Sequence, residues 1–204
     1  MSLAIVNYGG ANLRSVQKAF EHVGHAAEII DKPEQVDRAG KIVLPGVGAF
    51  ADAAAALRSS QLAGPILNHV KKGKPFFGIC LGLQVLFEVG YEDGTHQGLG
   101  LFQGKCIRFD VDDTFGLKVP HMGWNQLNRK KPSPILRDLP ADASVYFVHS
   151  YHVVPADESI VATTTDYGRP FVSSIWRDNV MATQFHPEKS QAVGLKILEN
   201  FATL

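Results

Sequence analysis

Residues 74–88 read KPFFGICLGLQVLFE. An apolar run, residues 75–79, leads into Gly78-Ile79-Cys80-Leu81-Gly82, and LQVLFE follows with helical spacing. The stretch predicts a strand, a sharp turn with Cys80 at its apex, and then a helix. Glycines two residues either side of Cys80 leave room for such a turn and for a ligand to approach the backbone. A thiol at the first turn of a helix also meets unpaired N–H groups, whose partial positive charge favours the reactive thiolate. The same groups, with the Leu81 N–H nearest, offer a place for a developing oxyanion. The structural alternative is a small buried thiol, the usual condition of a free cysteine.

The residues before this elbow have the rhythm of a parallel α/β sheet. Residues 3–7 (LAIVN) read as a strand, and Asn12 is placed to cap a helix that Gly24 ends. Residues 26–30 and 41–44 read as strands, separated by a charged connection over 31–40 that contains Pro33. Pro45-Gly46-Val47-Gly48 then falls at a strand end, at the carboxyl edge where open α/β sheets bind ligands. Its N–H groups would complete an oxyanion site if the loop lies beside the elbow; otherwise it is an ordinary strand-to-helix turn. It is neither a phosphate loop nor a complete dinucleotide fingerprint. Helices are expected over 50–57 and 62–70, and a surface loop over 91–104.

From Lys105 onward short β-rich runs replace helical intervals. Those at 159–165, 171–177 and 179–185 suggest an antiparallel meander with a tight turn at Asp178-Asn179, and a last helix spans 190–201. The expected fold is therefore α/β: a mostly parallel open sheet flanked by helices, with an added antiparallel portion in the C-terminal half. With 204 residues, one domain over 1–204 is expected.

Twenty basic and twenty acidic residues balance, and no long basic run occurs, so nucleic acid and anionic membrane surfaces are not expected partners. No apolar stretch approaches the ~18 residues of a spanning helix, and the N-terminus lacks the charge and length pattern of a signal peptide. Two cysteines, Cys80 and Cys106, form neither a disulfide framework nor a Cys-x-x-Cys motif. The expectation is an unprocessed, soluble cytoplasmic protein. Histidines 121, 149, 152 and 186 match no zinc spacing, so no metal is expected.

Just before the last helix stands Gln184-Phe185-His186-Pro187-Glu188. In extended backbone His186 and Glu188 project to the same side, with Pro187 restricting the backbone between them. A histidine held in one tautomer by a carboxylate is a better base for a thiol.

The elbow, the Pro45–Gly48 loop and the His-Pro-Glu string together resemble the class I glutamine amidotransferases. The resemblance runs the length of the chain. It implies a catalytic triad of Cys80, His186 and Glu188 that hydrolyses L-glutamine, and an oxyanion hole built from the N–H groups of Leu81 and of Val47 or Gly48. It also implies that Gln84, Ser150 and Tyr151 hold the amino-acid end of the substrate, with no cofactor. Pro120-His121-Met122-Gly123-Trp124-Asn125, Phe147-Val148-His149-Ser150-Tyr151 and Glu188-Lys189-Ser190 are similar to the glutaminase subunits of imidazole glycerol phosphate synthases. That similarity implies a (β/α)₈-barrel cyclase subunit as heterodimer partner and ammonia passing to it. Met122, Trp124, Asn125 and Lys189 would then belong to the interface; a core tryptophan and a solvated lysine are the alternatives. Other readings are a glutaminase subunit of an anthranilate or pyridoxal phosphate synthase, a non-catalytic regulatory subunit, and a thiol hydrolase with another substrate.

Overall fold

The apolar runs at 3–6, 41–46 and 76–80 form strands buried on both faces, as expected of parallel strands covered by helices, whereas the edge strand at 27–30 exposes Glu28. The computed structural model describes residues 2–111 and 116–204. The first half comprises β1 (Leu3–Val6), α1 (Leu13–His22), β2 (Ala27–Ile30), α2 (Pro33–Arg38), β3 (Lys41–Gly46), α3 (Phe50–Ser59), α4 (Ala63–Lys71), β4 (Phe76–Cys80) and α5 (Leu81–Gln84). The second adds β5 (Phe87–Gly90), β6 (His96–Gln97), β7 (Phe102–Arg108), β8 (His121–Gln126), β9 (Asn128–Arg129), β10 (Ser144–His149) and β11 (Tyr151–Pro155). It closes with β12 (Val161–Tyr167), β13 (Arg169–Arg177), β14 (Val180–Thr183) and α6 (Gln191–Ala202).

One sheet of eight strands runs β2-β1-β3-β4-β14-β13-β12-β9. Its β2-to-β14 portion is parallel, and β14, β13, β12 and β9 continue antiparallel. The expected mixed α/β architecture is thus observed. Alternate residues of β3 face opposite layers: Ile42 and Leu44 pack with Phe50 and Leu57 of α3, whereas Val43 packs with Phe20 of α1 and Phe201 of α6. Two smaller sheets run β11-β7-β5-β6 and β10-β8, and residues at the end of β10 and the start of β11 line one cleft with Cys80.

Several local expectations give way to tertiary context. LQVLFE is helical only to Gln84, and Phe87–Gly90 is a strand. Val85, Leu86 and Phe87 are all fully buried, so helical periodicity carries no information there. The Val85 and Leu86 carbonyls accept N–H groups of Leu99 and Leu101 instead of extending the helix. The loop expected over 91–104 accordingly contains β6 and the start of β7. The charged connection holds α2, with Pro33 at its first position and the Gln35 side chain accepting from the Asp31 and Lys32 N–H groups. Asn12 stands at the start of α1 without a side-chain cap bond. β3 runs two residues further than expected, and Gly46 lies in register with Cys80.

Candidate active site

Cys80 ends β4 and stands at the N-terminus of α5 with φ of 56° and ψ of −109°. That left-handed backbone is costly for a side chain with a Cβ and persists only where the surroundings impose it. The flanking glycines show what imposes it. A Cβ on Gly82 would lie 1.8 Å from the Leu44 carbonyl oxygen, and one on Gly78 would lie 2.7 Å from the Gly82 carbonyl oxygen. The turn therefore packs backbone against backbone, and the thiol is left at the end of the sheet.

β14 lies beside β4 and delivers the second component. Its chain leaves the sheet after Thr183, and His186 and Glu188 fall in the short turn that precedes α6. His186 Nδ1 and Glu188 Oε1 are 2.8 Å apart, with side chains 3% and 2% exposed. Ser190 holds this turn in place: its hydroxyl donates to the His186 carbonyl at 2.6 Å and accepts the Tyr146 N–H at 2.9 Å. Burial alone would push the His186 imidazolium down. Cys80 on one side and Glu188 on the other outweigh that effect and raise its pKa to about 10. Such a site holds a protonated imidazole between the Cys80 sulfur and a carboxylate.

A cleft of about 370 Å³ opens over these groups. Val47, Gly48, Cys80, Leu81, Gln84, Ser150, Tyr151, His186 and Lys189 all line it, so the structure brings together most of the residues singled out in the sequence. Glu188 stands behind His186, outside the lining. The Val47 N–H donates to the Gly10 carbonyl at 3.1 Å, which turns it away from the cleft, and Gly48 has φ of +97°. A glycine tolerates that conformation and its rearrangement equally. Met122 and Trp124 project from β8 into solvent, 62% and 48% exposed, so Trp124 is not a core tryptophan. Asn125, half-buried on the same strand, lies with its amide nitrogen 3.3 Å from His121 Nε2 and donates to the Asp166 carbonyl at 2.9 Å.

The family model for class I glutamine amidotransferases matches residues 4–203. The chain belongs to that family. It is 56% identical over 205 residues to the imidazole glycerol phosphate synthase subunit HisH of Syntrophotalea carbinolica, covering 99% of this chain and 100% of that one. The subunit of the same name from Aquifex aeolicus is 55% identical over 202 residues, with 98% and 96% covered. Within the class I amidotransferases the chain groups with these subunits. The solved structure of PurLQS from Thermotoga maritima superposes with a TM-score of 0.77 at 20% identity, over 99% of this chain and 97% of that one, a likeness of fold.

Sequence reading missed how the cleft of this amidotransferase is wired. His149 Nδ1 lies 2.8 Å from the Tyr151 carbonyl, which can only accept, so Nδ1 carries the proton and Nε2 is the acceptor. His121 Nδ1–H then donates to His149 Nε2 at 3.1 Å, which leaves His121 Nε2 to accept from Asn125. Both rings are thus held neutral. Burial pushes His121 down to about 4; burial, with imidazolium His186 nearby, pushes His149 down to about 3 against the opposing effect of the Tyr151 carbonyl. No spacing rule connects residues 121, 125 and 149, which meet only because β8 pairs with β10. Tyr8 was also missed: it is buried, its hydroxyl has no partner among the described residues, and a Cβ on Gly46 would come within 2.3 Å of it.

Unfolding exposes these two rings, which then bind protons near the ordinary value of 6.5. The unfolded chain therefore holds protons that the native chain excludes between pH 6.5 and about 3 to 4. Their contribution to stability is fully present above 6.5 and is withdrawn as the pH falls. With about 1.4 kcal/mol per unit, the loss is on the order of a few kcal/mol for each ring. Urea unfolding at neutral and acidic pH should show it. His121→Gln, which cannot titrate, should flatten the fall; an identical fall in native and variant chains would place the acid sensitivity elsewhere.

Proposed function

We propose that the chain, as one domain over residues 1–204, is the glutaminase subunit that supplies ammonia to a separate cyclase in imidazole glycerol phosphate synthesis. The observation that carries this reading is His186, poised between Cys80 and Glu188 over a cleft of amino-acid size. The Cys80 thiolate attacks the side-chain amide carbon of glutamine, and the negative charge moves to the carbonyl oxygen. The Leu81 N–H receives that oxyanion, joined by the N–H of Val47 or Gly48. As the intermediate collapses, imidazolium His186 gives its proton to the departing nitrogen, and ammonia leaves a glutamyl thioester. His186 then takes a proton from water, the hydroxide attacks the thioester, and glutamate leaves as the thiolate returns. Glu188 holds the tautomer and orientation of His186 throughout.

Gln84 spends its amide hydrogens inside the protein, which leaves its carbonyl oxygen as an acceptor for the substrate's ammonium group. Ser150 and Tyr151 hold the carboxylate end. The exposed Met122 and Trp124, with Lys189 at the cleft, suit a docking surface for a (β/α)₈-barrel cyclase, because exposed tryptophans are enriched among interface anchors. Asn125 serves this surface indirectly, from within β8. No cofactor enters this chemistry. Among the described residues no helix is long and apolar enough to cross a membrane, and the cytoplasm is the proposed compartment.

The test is reconstitution with a histidine-pathway cyclase and its phosphoribosyl-formimino substrate. With glutamine as nitrogen source, imidazole glycerol phosphate and the aminoimidazole carboxamide ribotide should form only when this chain is added; with ammonium salt the cyclase alone should suffice. Product from glutamine without this chain, or none with it while ammonium works, would contradict the proposal.

A further inference from the structure

The nucleophile has a neighbour to which the triad chemistry assigns nothing. Gln184 is fully buried in the bend that follows β14, and its amide nitrogen lies 3.6 Å from Cys80 Sγ. An amide's two ends are chemically opposite, so what Gln184 does to the sulfur depends on which end faces it. The surrounding network fixes the answer. The Tyr151 carbonyl is an acceptor only, so the group of Gln84 that lies 3.0 Å from it is the amide nitrogen. That nitrogen also reaches Gln184 at 3.1 Å and gives its second hydrogen there, so Gln184 presents its oxygen to Gln84. The Gln184 amide N–H groups are thereby turned to Cys80.

We propose that Gln184 is a positioning residue for the nucleophile: its buried amide N–H donates to the Cys80 sulfur, favours the thiolate, and holds it toward the cleft opposite His186. The proposal deepens the glutaminase reading and rests on it. A hydrogen bond to the charged form of a group favours that form, and it counts for more in a buried setting. The titratable groups that bear on the sulfur are His186 from the turn after β14, Tyr8 from the loop after β1, and Cys106 from β7, with Glu92 and Lys189 lining the cleft. Gln184 is the neutral donor among them. It also joins Cys80 to Gln84, so the nucleophile and the proposed substrate-holding side chain share one hydrogen-bonded line.

Two variants separate this role from simple packing. Gln184→Met keeps length and volume but has no donor; Gln184→Glu keeps the acceptor toward Gln84 and sets a carboxylate against the sulfur. The readout is the rate of Cys80 carboxamidomethylation by iodoacetamide against pH on the full chain, assigned by peptide mass. Far-ultraviolet circular dichroism verifies the fold. The methionine variant should have its midpoint about one unit higher and react about tenfold more slowly at pH below both midpoints, the size expected for a lost charge-assisted bond. The glutamate variant should move further in the same direction. A midpoint unmoved in folded Gln184→Met, or lowered in Gln184→Glu, would overturn the proposal. Neither result bears on glutamine turnover by the native chain, which tests the glutaminase reading separately.

Discussion

Cys80→Ser lowers glutamine hydrolysis by at least about 10³-fold while the chain keeps its fold and its partner. The change exchanges one atom at a side chain that is 7% exposed, so packing is nearly preserved and the cost in stability stays within about 1 kcal/mol. What is lost is the charge that His186 is built to accompany. Its imidazolium is raised to about 10 by Cys80 and Glu188 against the opposing effect of burial, and a hydroxyl cannot replace the sulfur in that pair. The left-handed backbone at residue 80 is unaffected, because it is held by Gly78 and Gly82 against Leu44. Glutamate release and the melting temperature, measured on the same preparations, check both halves of the expectation. Turnover within tenfold of the native rate would remove the sulfur from the reaction.

The isolated chain should be slow, and docking of the cyclase with its ligand should accelerate it by about 10²- to 10³-fold. That interval is the usual effect of one missing oxyanion donor. The expectation rests on the Val47 N–H, which is engaged by the Gly10 carbonyl at 3.1 Å and so is withheld from the cleft. Val47 is also 44% exposed, and Gly48 beside it has the conformational freedom to let the peptide rotate. A partner seated over the cleft mouth can therefore favour the rotated state by contacts that the free chain lacks. Comparing glutamate release by the chain alone, with cyclase, and with cyclase plus its nucleotide ligand gives the answer. Equal rates in all three would show that the loop does not limit catalysis.

The sequence was legible where local chemistry and tertiary structure agree. Gly78-Ile79-Cys80-Leu81-Gly82 could be read as an elbow because glycine at those positions answers a steric demand that the structure makes explicit at Leu44. His186 and Glu188 do meet, but through a 3-10 turn over Pro187–Lys189 and not through the extended backbone expected from the sequence. LQVLFE could not be divided between helix and strand, since its later residues are buried on every side and the partners that end the helix lie at 99–102. The Gln84–Gln184 and His121–His149 contacts span 100 and 28 residues, and no single sequence carries a periodicity that reports such pairs. The hydrogen bonds of Asn125 to His121 and to the Asp166 carbonyl were equally illegible, because its place in a recognisable string carries no information about them.

The central claim is that Cys80 attacks glutamine, and covalent trapping tests it most directly. The chain, in complex with a cyclase subunit, is incubated with a diazoketone analogue of glutamine, and the modified residue is located by mass spectrometry. A single adduct on Cys80, formed in step with loss of glutaminase activity and prevented by excess glutamine, is the predicted result. Loss of activity with the adduct on another residue, or glutamate release that persists once Cys80 is fully modified, would contradict the account.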